Sequence, residues 1–403
     1  MISPTTFSRR KFLEFLAASP AVAWAQQTSP AQRTALIESA KDALSVKDFE
    51  EIAQHKLRPA HWGYLSTGVD DDRTFKGNIA AFQRIELRPR RLVDISHTDI
   101  RTELFGVTFE APIFLCPVSD QRMFHPDAEV GSARAARSRK TLQILATQAS
   151  IVVEEVAKAL GTAPWFQFDM PLRWEGTEKM VKRAEDAGCP ALVMTVDGFG
   201  GRNAETSERL AKTDTQNCLD CHVTTSNGRL LPPPGSWPMS AGIEDYGRNT
   251  ERPTWQHVDR LKKLTKMKLV LKGIETREDA RLCKEHGVDG IVVSNHGGRA
   301  TEDLRPTIES LPEVIDGAGG QVKIMVDGGF RRGTDVYKAL ALGASAVGIG
   351  RPYIYGLTAF GQEGVERVLD ILRSELLMTM RQCGTPTLPR ITRDSIAVIP
   401  HRS

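Results

Sequence analysis

From Ala111 onward the chain alternates short apolar runs with stretches of helical pattern, and this alternation limits the fold more than any other feature. The runs are "PIFLCPV" (112–118), "LQILAT" (142–147), "PWFQF" (164–168), "ALVMTVD" (191–197), "KLVLKG" (268–273), "GIVVSNH" (290–296), "KIMVDGG" (323–329) and "AVGIGR" (346–351). Each is apolar on both faces, as a strand covered on both sides must be. The segments between, such as "EGTEKMVKRAEDAG" (175–188) and "GTDVYKALALGA" (333–344), carry a glycine at the C-terminal end, where helices stop. Eight buried parallel strands with intervening helices predict an α/β fold, a (β/α)8 barrel of the TIM type over residues 111–386. A doubly wound open sheet is the other arrangement of the same pattern.

In such a barrel functional groups collect where strands end at the C-terminal face. The polar residues of these runs sit there: Gln167, Thr195, Asp197, Lys272, Ser294, His296 and Asp327. Any one suits a cap or a turn, but a series on consecutive strand ends reads as a site. "MVDGGFRRGTDV" (325–336) and "VGIGRP" (347–352) close the last two strands with glycines and arginines. Glycines let backbone N–H groups approach phosphate oxygens, and Arg331 and Arg351 supply positive charge, so this pair of loops reads as a phosphate site.

"SNHGGR" (294–299), followed by "DGGFRRGTDVYKALALGASAVGIGRP" (327–352), is similar to the FMN-dependent L-2-hydroxy acid oxidase and dehydrogenase family. The resemblance runs from about Asp48 to Pro386 and includes "GYLSTGVDDDRTFKGNIAAFQRIELRPRRLVDIS" near the N-terminus. It implies that His296 is the base, Asp197 its partner, and Arg299 and Tyr64 the groups that hold a substrate carboxylate. It also implies that Val118, Ser119, Gln167, Thr195, Lys272, Ser294, Asp327, Gly329, Arg331, Gly350 and Arg351 contact FMN, from ring to phosphate. A homo-oligomer, tetrameric in this family, and a small-molecule substrate follow from the same resemblance. A histidine oriented by a carboxylate is a competent base near neutral pH, and a lysine at the flavin stabilises charge gained on reduction.

Three positions depart from the family pattern. Asp169 stands where a substrate-facing tyrosine is usual, Ala146 where a serine is, and the second carboxylate-binding arginine falls on Asn203 or, one residue earlier, on Arg202. The departures leave two expectations: an unusual substrate bearing a cationic or hydroxyl group toward Asp169, or a silent flavin-binding protein.

Between residues 205 and 255 no clear periodicity is seen, and "LLPPPGSWP" (230–238) marks a loop insertion after strand four. Within it "QNCLDCHV" (216–223) has the spacing of covalent haem c attachment, with Cys218 and Cys221 as thioether positions and His222 as iron ligand. Met239 and His257 are candidates for the second axial ligand. A Cys218–Cys221 disulfide or a zinc site are the alternatives. Cys116, Cys189, Cys283 and Cys383 read as buried thiols.

The N-terminus speaks to compartment. "SRRKFLEFLAASPAVAWA" (8–25) joins paired Arg9 and Arg10 to a short apolar run and an Ala-x-Ala end, so residues 1–25 read as a twin-arginine export signal and the protein as periplasmic. The signal holds three of the 53 basic and one of the 50 acidic side chains, so the remainder is nearly neutral and offers no basis for binding nucleic acid or anionic membrane. The expected order is signal (1–25), N-terminal helical segment (26–110), barrel (111–386) and C-terminal tail (387–403). A periplasmic electron acceptor such as a cytochrome c would then take electrons from FMN through the haem. The rival is a haem-free oxidase that reduces oxygen.

Overall fold

A computed structural model describes residues 37–215, 223–224, 230–231, 237–243 and 252–399. The segment read as an export signal, with Arg9 and Arg10, and the one read as a haem motif, with Cys218, Cys221 and His222, lie outside the described residues.

The eight apolar runs form eight parallel strands: β1 (Ile113–Leu115), β2 (Ile144–Ala146), β3 (Trp165–Phe168), β4 (Ala191–Thr195), β5 (Lys268–Lys272), β6 (Gly290–Val293), β7 (Lys323–Asp327) and β8 (Ala346–Ile349). The sheet runs β1-β8-β7-β6-β5-β4-β3-β2, and a parallel bridge from Leu115 to Gln143 joins its two ends. The sheet is therefore a closed barrel, not the open doubly wound alternative.

Side chains fill the interior. Phe114, Ile144, Trp165, Val193, Val270, Val292 and Met325 form one apolar cluster, so the barrel is a packed core and not a pore. A hairpin of Thr102–Leu104 with Val107–Phe109 packs against that cluster through Leu104, Phe105 and Phe109. Phe105 stacks on Trp165, the first residue of β3, with ring centroids 5.2 Å apart, which plugs the N-terminal mouth. The C-terminal mouth is left for chemistry.

Twelve helices complete the described fold: α1 (Val46–Lys56), α2 (Pro59–Ser66), α3 (Arg73–Ala80), α4 (Ala128–Ser138), α5 (Val153–Leu160), α6 (Trp174–Asp186), α7 (Glu205–Lys212), α8 (Trp255–Leu264), α9 (Arg277–Glu285), α10 (Thr307–Ala318), α11 (Gly333–Leu342) and α12 (Arg351–Cys383). The last is two helices joined at a kink, since Gly361 has φ 59° and ψ −138°. A glycine with positive φ suits such a break.

The insertion after β4 is more ordered at its start than its composition predicts. Glu205–Lys212 forms α7, where Ser207 and Ala211 are buried and Glu205 pairs with Arg209 one turn on. Its burial comes from α2: Gly63 lies close against Ser207 and Leu210, where a β-carbon would be 3.0 Å from Leu210 Cβ, and Arg58 and Asp214 make an ion pair of 2.7 Å. This helix depends on a tertiary contact, and eight residues carry too little periodicity to announce it. The C-terminal segment is likewise not a free tail, because Ile396–Val398 pairs antiparallel with Ile85–Leu87.

One buried carboxyl below the site gives a pH-dependent stability. Glu129 on α4 is fully buried; its Oε1 accepts from the backbone N–H groups of Gln121 and Ser150, and Oε2 has no partner. Burial, the largest influence, pushes it from 4.5 up to about 7. The native state thus keeps a proton that the unfolded chain releases, so this contribution is full below pH 4.5 and is lost as pH rises through about 7. Glu129→Gln imitates the protonated acid. Its urea midpoint is expected to fall less between pH 5 and pH 8 than that of the unsubstituted protein; parallel slopes would contradict the assignment.

Candidate active site

The predicted residues converge at the C-terminal mouth. Asp197 lies two residues beyond β4 and His296 three beyond β6, and His296 Nδ1 is 2.8 Å from Asp197 Oδ1. The side chain of His296 is 37% exposed and that of Asp197 8%, so the imidazole faces the open mouth with the carboxylate behind it. His296 has φ 57°, a left-handed conformation costly for a side chain this size; the backbone N–H donates to Ser294 Oγ at 3.1 Å. Such strain is held only where surrounding contacts determine it. Burial, the largest influence, works to raise Asp197, but His296 and Lys272 outweigh it and hold the carboxylate below its ordinary range.

Lys272 ends β5 inside the barrel wall. Its Nζ donates to Ser294 Oγ at 3.0 Å and lies 3.9 Å from Asp327 Oδ2; Ser294 Oγ donates to Asp327 Oδ1 at 2.7 Å. Burial, the largest influence, works to lower the ammonium, yet Asp327 and Asp197 with the other nearby groups outweigh it and raise it. Lys272 is thus a fixed cation on the floor of the mouth. Across from it, Gln167 Nε2 donates to Thr195 Oγ1 at 2.9 Å and to Asp169 Oδ1 at 3.3 Å. Asp169 is raised, first by burial and against the pull of His296.

Arg299 and Tyr64, the residues expected to hold a carboxylate, lie together at one end of the mouth. The guanidinium sits 4.5 Å over the Tyr64 ring and donates to the carbonyls of Tyr64 and Thr67. Burial pushes it down to about 9, and Arg202 adds the next largest push. An anion beside Arg299 would relieve both influences. Arg202, and not Asn203, therefore faces this end, because Asn203 Nδ2 donates to Asp70 Oδ1 at 2.9 Å.

The FMN positions divide. Val118 and Ser119 follow β1 and are half-buried at the mouth. Arg331 Nη1 donates to the carbonyl of Phe330 at 3.0 Å, while Nη2 is buried with no partner. A buried guanidinium N–H needs an acceptor, and a phosphate oxygen suits it, so the residues fit FMN. Arg351 is different: its donors reach the carbonyls of Leu65 (2.7 Å), Gly297 (2.9 Å) and Thr67 (2.7 Å), which clamps α2 to the barrel. The amide cradle expected around 328–333 is also partly committed. Arg331 and Arg332 N–H donate to Asp335 and Gly333 N–H to Glu375, which cap the start of α11. Gly329, at φ 83°, is required by packing, since a β-carbon there would lie 2.1 Å from the Asn78 carbonyl. Gly350 opens α12 beside Val118.

Met239 is only 1% exposed and its sulfur accepts the Val153 N–H at 3.4 Å, so this candidate axial ligand is packed into the barrel. His257 accepts the Thr254 N–H at 3.0 Å at the start of α8. Among the described residues no group of three or more His, Cys, Asp or Glu side chains is arranged to hold a metal ion. The thiols of Cys116, Cys189, Cys283 and Cys383 are buried and free. Two groups had no individual signal in the sequence: the reciprocal amide pair Asn78–Asn295 (2.9 and 3.0 Å), which ties α3 to the loop after β6, and Glu275.

The chain belongs to the FMN-dependent dehydrogenase family, whose model matches residues 53–398. It is 38% identical over 357 residues to a peroxisomal (S)-2-hydroxyacid oxidase of Arabidopsis thaliana, covering 88% of this chain and 96% of that one. With 2-hydroxyacid oxidase 2 of Rattus norvegicus it shares 37% over 358 residues, 87% of this chain and 97% of the other. Among solved structures it is similar to mandelate oxidase with benzoyl-formic acid, with TM-score 0.78 and 34% identity over 88% of this chain and 98% of that one.

Proposed function

We propose that the protein oxidises the alcohol carbon of an (S)-2-hydroxy acid to the 2-oxo acid, with His296 as base. The observation that carries this reading is the His296–Asp197 pair facing the same mouth as Lys272 and Arg299. The reaction removes the carbon-bound hydrogen, the hydroxyl proton and two electrons, and bound FMN supplies the electron-pair acceptor. Arg299, Tyr64 and Arg202 hold the substrate carboxylate. His296 takes a proton on Nε2 while Asp197 steadies the imidazolium through Nδ1. Lys272 offers a fixed positive charge to the reduced cofactor.

Asp169 sets substrate choice in this reading. A donor on the substrate, hydroxyl or ammonium, would face it, and an unsubstituted 2-hydroxy acid would not. Asp169→Tyr is expected to lower KM for glycolate, lactate or mandelate about tenfold, the equivalent of about 1.4 kcal/mol. Unchanged KM values for all three would remove Asp169 from specificity.

The same proposal places the enzyme in the periplasm, exported through residues 1–25, with haem c at Cys218, Cys221 and His222 as the electron exit toward a cytochrome. What supports it is the conjunction of a twin-arginine signal with the Cys-x-x-Cys-His spacing. A haem-free oxidase is the second reading, favoured by the oxidase names of the relatives. Protein matured in a periplasm with haem-attachment machinery is expected to keep haem after denaturation. Cys218→Ser with Cys221→Ser should lose it while substrate still bleaches the flavin. A native 218–222 peptide of unmodified mass, with rapid oxygen consumption, would overturn the haem reading in favour of the oxidase.

A further inference from the structure

Behind the His296–Asp197 pair lies a carboxyl group that the reaction as described leaves unused. Asp197 Oδ2 is buried without a hydrogen-bond partner, and so is Oε2 of Glu275. Asp197 is one of the charges that act on Glu275, so the two carboxyls share one corner of the mouth. Gly273, which follows β5 with φ 108°, lies directly under Asp197: a β-carbon there would be 2.7 Å from Asp197 Cβ and 3.0 Å from Oδ2. Glu275 is two residues further along that turn. Buried carboxyl oxygens rarely stay without a donor, and two in one corner are satisfied together when one of the groups carries a proton.

We propose that Glu275 is a positioning residue for the base: as a protonated acid it donates through one bridging water to the free Oδ2 of Asp197 and thereby fixes the carboxylate that orients His296. The proposal rests on the reading of His296 as base.

The charges around Glu275 favour this state. Asp303 and Arg305 face it from the loop after β6, Asp197 from the end of β4 and Asp327 from the end of β7. Burial is the largest influence, the three aspartates add to it, and Arg305 opposes; together they push Glu275 from 4.5 up to about 8. The acid is therefore neutral at pH 7 and ionises above about 8. Ionisation removes the donor and sets a second negative charge beside Asp197.

The test uses FMN-loaded protein and two variants. Glu275→Gln keeps an N–H donor at any pH, whereas Glu275→Leu has none. Infrared difference spectra of the unsubstituted protein against Glu275→Gln, without substrate, are expected to show a carboxylic-acid carbonyl band that disappears as pH rises through about 8. Absence of that band at pH 6.5 would overturn the proposal whatever the substrate proves to be. In anaerobic flavin reduction, Glu275→Gln should stay within about twofold of the parent and lose the alkaline fall, and Glu275→Leu should slow about tenfold at unchanged KM. Equal rates and equal pH profiles in all three proteins would also overturn it. If no 2-hydroxy acid reduces any of them while the infrared band is present, the substrate reading fails and the protonation of Glu275 stands.

Discussion

His296→Ala is expected to bind FMN like the parent and to reduce it with substrate about 10²- to 10⁴-fold more slowly, the usual range for removing a positioned general base. The imidazole lies at the mouth with Nδ1 against Asp197, away from Arg331, so its loss leaves the groups assigned to the phosphate intact. Single-turnover bleaching of the flavin, followed anaerobically in a stopped-flow spectrometer, separates chemistry from reoxidation. A variant that bleaches at the parental rate would exclude His296 from the reaction.

Arg331→Ala is expected to act on the other half of the site. Its buried Nη2 has no acceptor among the described residues, and Arg351 is committed to the carbonyls of Leu65, Gly297 and Thr67. On this reading Arg331 would supply much of the charge that meets the FMN phosphate. Losing one partner of a buried, charge-assisted contact costs about 2–5 kcal/mol, so FMN affinity should fall about 10²-fold or more. Fluorescence titration of FMN into stripped protein measures this directly, with His296→Ala as the variant that should bind normally. Equal affinities would move the phosphate to other donors.

These two expectations differ in how much of their basis was legible in the sequence. The barrel was, because eight runs apolar on both faces admit few other arrangements, and His296, Asp197 and Lys272 were marked by their places at strand ends. The division of labour between Arg331 and Arg351 was not. Both follow glycines, and only the tertiary fold shows that α2 presents its last carbonyls to Arg351. Helix α7 was hidden for a similar reason, since its order comes from packing against α2 and not from its own eight residues. Glu275 reads in sequence as an ordinary polar residue of a βα turn. Its meaning comes from three aspartates contributed by other strands and loops, a convergence that spacing along the chain does not encode.

The most direct test of the account is anaerobic mixing of the purified, FMN-loaded protein with matched (S)- and (R)-2-hydroxy acids, some carrying a hydroxyl or amino group that can reach Asp169. The account predicts that (S)-substrates bleach the flavin bands and yield one equivalent of 2-oxo acid per FMN, with the (R)-forms inert and the Asp169-directed compounds fastest. Flavin that stays oxidised with every compound, in protein whose His296–Asp197 pair is intact, would contradict it.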